Sequence, residues 1–162
     1  MTHLLRGAVA GAAGTTALNT VTYLDMALRA RPASTTPEET VKRMEEVAGA
    51  RLSRAGRDSG EEANRRSGLG PLLGIATGVA AGTLYGAVRS RWPRLPVALL
   101  AVGAGAAANL GSTAPMTALG VTDPREWSAT SWISDLVPHL AFGVVTALAY
   151  ELSEAGGEAD AS

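Results

Sequence analysis

The sequence predicts an all-α protein, an integral membrane four-helix bundle with an amphipathic surface helix in its first loop. Three observations carry this. First, charge is confined: nine of the 14 Lys and Arg lie between Arg29 and Arg66, and four of the 15 Asp and Glu lie from Glu151 onward. Second, the stretches between are long, apolar and built mostly of Ala, Val and Leu, with one Phe in the whole chain. Third, Gly70, Gly74, Gly78, Gly82 and Gly86 occupy every fourth position of GPLLGIATGVAAGTLYG. In water such a ladder weakens a helix, because each interior Gly costs about 1 kcal/mol relative to Ala. In lipid it provides a thin edge that lets another helix backbone come close.

About 20 residues are needed to cross the hydrocarbon as a helix. Four stretches reach that length, at about 5–28, 68–88, 95–121 and 130–152. None shows the period-two alternation of a membrane strand, so helices are expected throughout. Residues 1–153 therefore read as one four-span domain with a polar loop at 29–67, followed by a disordered tail at 154–162. The first span is too long for a signal peptide, carries Asn19 and Asp25, and ends without a small-residue cleavage site. The second holds the glycine ladder and runs into the short turn RSRWPR, where Trp92 sits. The third has Pro96 near its start and Pro115 near its end, and the fourth opens beside Trp127 and Trp132. Tryptophan favours such boundaries because its ring is apolar while its N–H wants a wet partner.

Within the first loop, Thr36-Pro37-Glu38-Glu39 has the form of a capping box with Pro37 at the first helical position. Val41, Met44, Val47, Ala48 and Leu52 then share one side of a short helix. Such a helix lies on the membrane surface or stands in solvent as an ordinary loop helix. The segment RAGRDSGEEANRRSG that follows is rich in Gly, Ser and charge and reads as flexible. Counting basic residues favours a cytoplasmic first loop, although three arginines in the RSRWPR turn argue for the opposite side.

The other spans carry weaker small-residue edges: Gly7, Gly11, Thr15 and Asn19; Gly103, Ala107, Gly111 and Pro115; His139, Gly143 and Ala147. Four thin sides suit one tight bundle, or association with a second copy. Five side chains are out of place in lipid: Asn19, Asp25, Asn109, Asp135 and His139. Successive spans run antiparallel, which puts Asp25 and Asp135 in the same leaflet. At 1.5 Å per residue, Asn19, Asn109 and His139 lie on the order of 10–18 Å below that surface. The five form a candidate intramembrane polar cluster. Asp135 and His139, spaced i, i+4, share a helix face, an arrangement that suits a proton relay or a cation site. The alternative is structural: Asp135 near the helix N-terminus, Asp25 paired with Arg29, and the asparagines bonding between helices.

Several function classes fall away. The chain has no cysteine, no HExxH, no Gly-x-Ser-x-Gly elbow and no phosphate loop, and its charge is balanced, so neither an enzyme nor a nucleic-acid binder is expected. No cofactor and no metal is expected. The expected partners are the lipid bilayer and either a second copy or another membrane protein. The leading reading is a small multi-pass protein acting through helix packing, as a homo-oligomer or an accessory subunit. The alternative is a transporter or channel for protons or a small cation that uses the polar cluster.

The stretch APMTALGVTDPREWSATSWISDLVPHLAFG resembles the closing part of the YagU-type family of bacterial inner-membrane proteins. There a Leu-Gly-x-Thr-x-Pro segment, an aromatic and an acid precede a His in the last helix. Leu119, Gly120, Thr122, Pro124, Trp127, Asp135 and His139 stand at those places here. The resemblance covers about 30 residues and implies a multi-pass protein of the bacterial inner membrane.

Overall fold

The computed structural model describes residues 1–49 and 59–159. Among these the chain is helical without strands: α1 His3–Arg29, α2 Thr36–Ala48, α3 Ser59–Arg91, α4 Val97–Ala118 and α5 Ala129–Ala159, with a 3-10 turn at Pro124–Glu126. Three segments, Gly60–Arg91, Val97–Ala118 and Ala129–Gly156, are long and apolar enough to cross a membrane. With 27 residues, α1 matches them in length, but Thr15, Thr16, Asn19, Thr20, Thr22 and Asp25 leave it less apolar than such a segment needs. Expectation and structure therefore agree on three apolar helices and part at the first.

The four long helices form a ring in which α1 packs on α3 and α5, and α4 packs on α5 and α3. Glycine decides how close they come. A Cβ added to Gly82 would meet the Gly11 backbone, 2.5 Å from its nitrogen, and one added to Gly11 would lie 2.5 Å from the Gly78 carbonyl. Gly86 faces the His3 and Gly7 backbone in the same way. Gly70 instead meets Pro37 of α2 at 2.8 Å, and Gly74 has no neighbour within 4 Å. Between α4 and α5, a Cβ added to Gly143 would lie 2.9 Å from the Gly105 nitrogen and one added to Gly105 would lie 2.6 Å from the His139 carbonyl. The core between these contacts is small: Ala10, Ala81, Tyr85, Leu100, Ala101, Ala104, Ala108, Phe142, Ala147 and Tyr150. Large apolar side chains such as Leu24, Leu99, Leu110, Ile133, Leu140 and Leu148 point outward and are at least half exposed. That inside-out pattern fits lipid, where apolar burial between helices brings no gain and close backbone contact does.

Hydroxyls are handled in the same spirit. Thr15, Thr16, Thr20, Thr77, Thr83 and Thr117 each donate to the carbonyl four residues back in their own helix, at 2.8 to 3.1 Å. A threonine bonded inside its own helix asks nothing of its surroundings.

The helix ends differ from expectation. Residues 59–67, expected to be flexible, are the first turns of α3. Ion pairs Arg65–Glu61 and Arg66–Glu62 brace that extension, Arg66 also reaches Glu45 of α2 at 2.7 Å, and Ser67 bonds Glu38. The rest of the segment expected to be flexible, 54–58, and Leu52 lie outside the described residues. α2 docks on α3, burying Thr40 and Val41, while Met44 and Val47 of the expected apolar side stay exposed. The expected capping box from Thr36 does not form: α2 begins one residue earlier, so Thr36 is its first residue and its hydroxyl accepts from Ser34. The Thr36 N–H donates back to the Ser34 hydroxyl, and Thr35 at the N-cap makes no side-chain cap bond. The tail expected to be disordered from residue 154 continues helical to Ala159, because Glu154 is held by Arg6 at 3.1 Å; residues 160–162 lie outside the described residues.

Between α4 and α5, Trp127 donates to Thr122 at 2.7 Å and stacks edge-on against Trp132. The same connection holds Asp123, whose carboxyl the Arg125 side chain, and then its backbone N–H, keep below the usual carboxylate range.

Candidate functional site

The cluster is assembled at the seam of α4 and α5. Gly105 and Gly143 let the two backbones touch, and that closeness brings Asn109 of α4 within reach of Asp135 and His139, which stand one turn apart on α5. The Asn109 amide donates to the Asp135 carboxylate. The His139 Nδ1 lies 2.7 Å from the Asp135 carbonyl and therefore donates to it. With Nδ1 carrying the hydrogen, the Asn109 amide at 3.4 Å cannot also donate to that nitrogen, so its hydrogen goes to the carboxylate. The carboxylate itself lies 3.6 Å from the ring, and the imidazole and carboxylate side chains are 13% and 22% exposed. With Nδ1 committed to the Asp135 carbonyl, Nε2 is the imidazole nitrogen left to exchange a proton, and the Asp135 carboxylate stands beside the ring. Pro138, which lacks an N–H, leaves the Ser134 carbonyl without its helical donor one turn away.

Of the five residues expected in one cavity, these three come together and two do not. Asp25 is captured at the end of α1 by Arg31 at 2.5 Å and Arg29 at 3.2 Å. Arg29 also donates to Ser134, the neighbour of Asp135, at 2.9 Å. Asp25 is thus an interfacial ion pair that touches the cluster only through Ser134. The contact does place the ends of α1 and the start of α5 at one level, as the antiparallel count required. Asn19 is half-buried on α1 and makes no hydrogen bond to the other four.

A second polar network, not anticipated from sequence, closes the opposite end of the bundle. His3 lies 2.7 Å from the Tyr150 hydroxyl, Arg6 pairs with Glu154 at 3.1 Å and its guanidinium lies over the Tyr150 ring. Tyr85 donates to Glu151 at 3.1 Å, and Arg89 pairs with the same carboxylate at 2.7 Å. Tyr150 is fully buried and Tyr85 is 3% exposed. The sequence signal was there: Tyr85 and Arg89 are i, i+4, as are Tyr150 and Glu154, and all belong to span ends on the same side.

A third polar feature, a cleft of about 310 Å³ between α2 and α3, is lined by Thr35, Glu38, Glu39, Lys42, Ala63, Arg66 and Ser67. Its cations are already paired, Lys42 with Glu39 and Arg66 with Glu45 and Glu62. Comparisons of the chain with family models, with curated proteins and with solved structures give no match.

Proposed function

We propose that this chain crosses a bacterial inner membrane four times and passes protons or small cations by way of Asn109, Asp135 and His139, without enzymatic chemistry. One observation carries the reading: a carboxylate and an imidazole one turn apart, the carboxylate held by an amide from a second helix, sit several residues inside an apolar helix. Ionisable groups at that depth are costly to hydrate and tend to mark ion pathways. Packing supports a fourth span, since α1 lies along α3 and α5 and its Thr15, Thr16 and Thr20 hydroxyls are bonded within the helix. The likeness of residues 114–143 to the YagU-type family agrees with an inner-membrane location. Action through packing alone, as homo-oligomer or accessory subunit, is less well supported. The glycine edge that motivated it is spent on α1 of the same chain, at Gly78, Gly82 and Gly86.

Reconstitution tests this. Liposomes holding a pH-sensitive dye, with a potassium gradient and valinomycin to set the potential, should acidify faster with the protein than without it. His139→Ala should return the rate to that of empty vesicles. Wild-type rates equal to empty vesicles, for protons and for sodium or potassium alike, would refute the reading.

A further inference from the structure

We propose that the transported ion is the proton and that its path follows α5 from Asp135 and His139, through the Thr146 hydroxyl, to Tyr150 and His3 at the opposite end. The inference rests on the transport reading above and specifies its route. Asp135, His139, Thr146, Tyr150 and Glu154 fall at spacings of four, seven, four and four residues, one stripe down a single helix. At 1.5 Å per residue that stripe is roughly 28 Å long, close to the hydrocarbon thickness of about 30 Å.

Thr146 is the observation that sets this stripe apart. It is fully buried, and its hydroxyl has no hydrogen-bond partner. Six other threonines of the bundle bond to their own helix; Thr146 does not. Its Oγ1 is instead turned against Gly14 of α1, where any side chain would collide with it. The neighbouring Thr15 hydroxyl is buried beside Gly78 of α3 and already donates to Gly11, leaving lone pairs to accept. A buried hydroxyl left unpaired is unfavourable unless something visits it. A water molecule is the visitor that fits, because it both donates and accepts.

The ends differ as a path requires. His139 stands at one mouth. At the other, half-exposed His3 lies against the buried Tyr150 hydroxyl, with Glu154 at 3.9 Å from the His3 ring. Tyr150 also faces Arg6 of α1 and Tyr85 of α3, and behind Tyr85 stand Glu151 and Arg89. Between His139 and Thr146 the fully buried Phe142 ring packs against Gly14 and Gly78 and closes the interval. Transfer across it therefore needs the ring to move and water to enter, which makes Phe142 the gate. Each step then balances: the imidazolium gives its Nε2 proton to the first of a file of waters that covers the roughly 10 Å rise of seven residues, and the last of them gives one to the Thr146 oxygen. Thr146 releases its own hydrogen through a further water to Tyr150, and Tyr150 hands one to His3. Each oxygen gains one O–H bond and loses one, so only the two histidines change charge. A metal cation would need several oxygen ligands along the way, and among the described residues no three His, Cys, Asp or Glu side chains come together.

The test is proton flux in the reconstituted full-length protein for Thr146→Val, Thr146→Ser and Tyr150→Phe. Val keeps the shape of Thr without its hydroxyl, and Phe keeps the Tyr ring. The expected result is at least a tenfold loss for Thr146→Val and Tyr150→Phe, with Thr146→Ser within about threefold of wild type. If His139→Ala abolishes flux while Thr146→Val and Tyr150→Phe run at the wild-type rate, the route is wrong and the transport reading survives. If the wild type itself moves no protons, the route is wrong, and the transport reading falls with it only when sodium and potassium are not carried either. Should Thr146→Val fail to fold, Tyr150→Phe decides alone.

Discussion

Gly82→Leu should leave little folded protein in mild detergent, and what remains should melt roughly 10 °C below wild type. At Gly82 an added Cβ runs into the backbone of Gly11, which cannot rotate away, so α1 and α3 must separate along the contact. Overpacking of a tight contact costs about 3 kcal/mol or more when backbone has to move, and for a chain of this size each kcal/mol is worth about 2–4 °C. Gly78 is a milder site, because what a Cβ would meet there is the Thr15 hydroxyl and the edge of the Phe142 ring, both side chains. Gly74 is the control. It has no neighbour within 4 Å, so Gly74→Leu should melt within about 2 °C of wild type, as surface changes usually do. Thermal melts of the three purified variants, read by aggregation or by circular dichroism, make the comparison. Equal melting of Gly82→Leu and Gly74→Leu would remove the α1–α3 contact from the account.

Asp135→Asn should lower proton flux at least tenfold while leaving the bundle intact. The substitution keeps shape and leaves the Asn109 amide a carbonyl oxygen to bond. What it removes is the carboxylate that stands 3.6 Å from the His139 ring, one of the two proton-carrying groups at this mouth of the path. Asp25→Asn is the matched comparison. Asp25 is held by Arg29 and Arg31 at the end of α1 and reaches the cluster only through Ser134, so its flux should stay within about twofold of wild type. Initial rates in the same vesicles, corrected for the amount of protein inserted, distinguish the two. A loss of equal size in both variants would mean that charge at this end of the bundle matters in general and the cluster does not in particular.

Most of the helical layout was legible because its signals are local. Runs without charge and the positions of Pro96, Trp92 and Trp127 can be read one segment at a time. Where the reading failed, the missing information lay elsewhere in the chain. Residues 59–67 look like a linker by composition, and the partner that steadies them, Glu45, lies 21 residues before Arg66. The tail from residue 154 looks equally loose until Arg6, at the other end of the chain, takes hold of Glu154.

The site divides in the same manner. Asp135 and His139 were legible as an i, i+4 pair, and Asn109 followed from comparing depths in antiparallel spans. Asp25 was placed in the cavity by depth alone, but two arginines within six residues claim it first. The network of His3, Arg6, Tyr85, Arg89, Tyr150, Glu151 and Glu154 escaped notice because each member, taken singly, is an ordinary charge or aromatic at the end of a span. Thr146 could not have been singled out at all. A threonine in an apolar helix is unremarked until its neighbours show that it lacks a partner.

The proposed route depends on α1 crossing the membrane with the three more apolar helices, because His3 and Arg6 at its start belong to one polar end and Asp25 and Arg29 at its close to the other. The chain has no cysteine, so single cysteines can be placed at Thr2, Ser34, Arg94 and Ser128 and labelled in intact cells with a membrane-impermeant maleimide. Four crossings predict that Thr2 and Arg94 behave alike, and that Ser34 and Ser128 behave alike and opposite to the first two. If the Thr2 cysteine labels with those at Ser34 and Ser128 while the one at Arg94 does not, α1 still forms its helix but crosses nothing, contradicting the account at its base. If all four label alike, the chain does not cross in the way proposed at all.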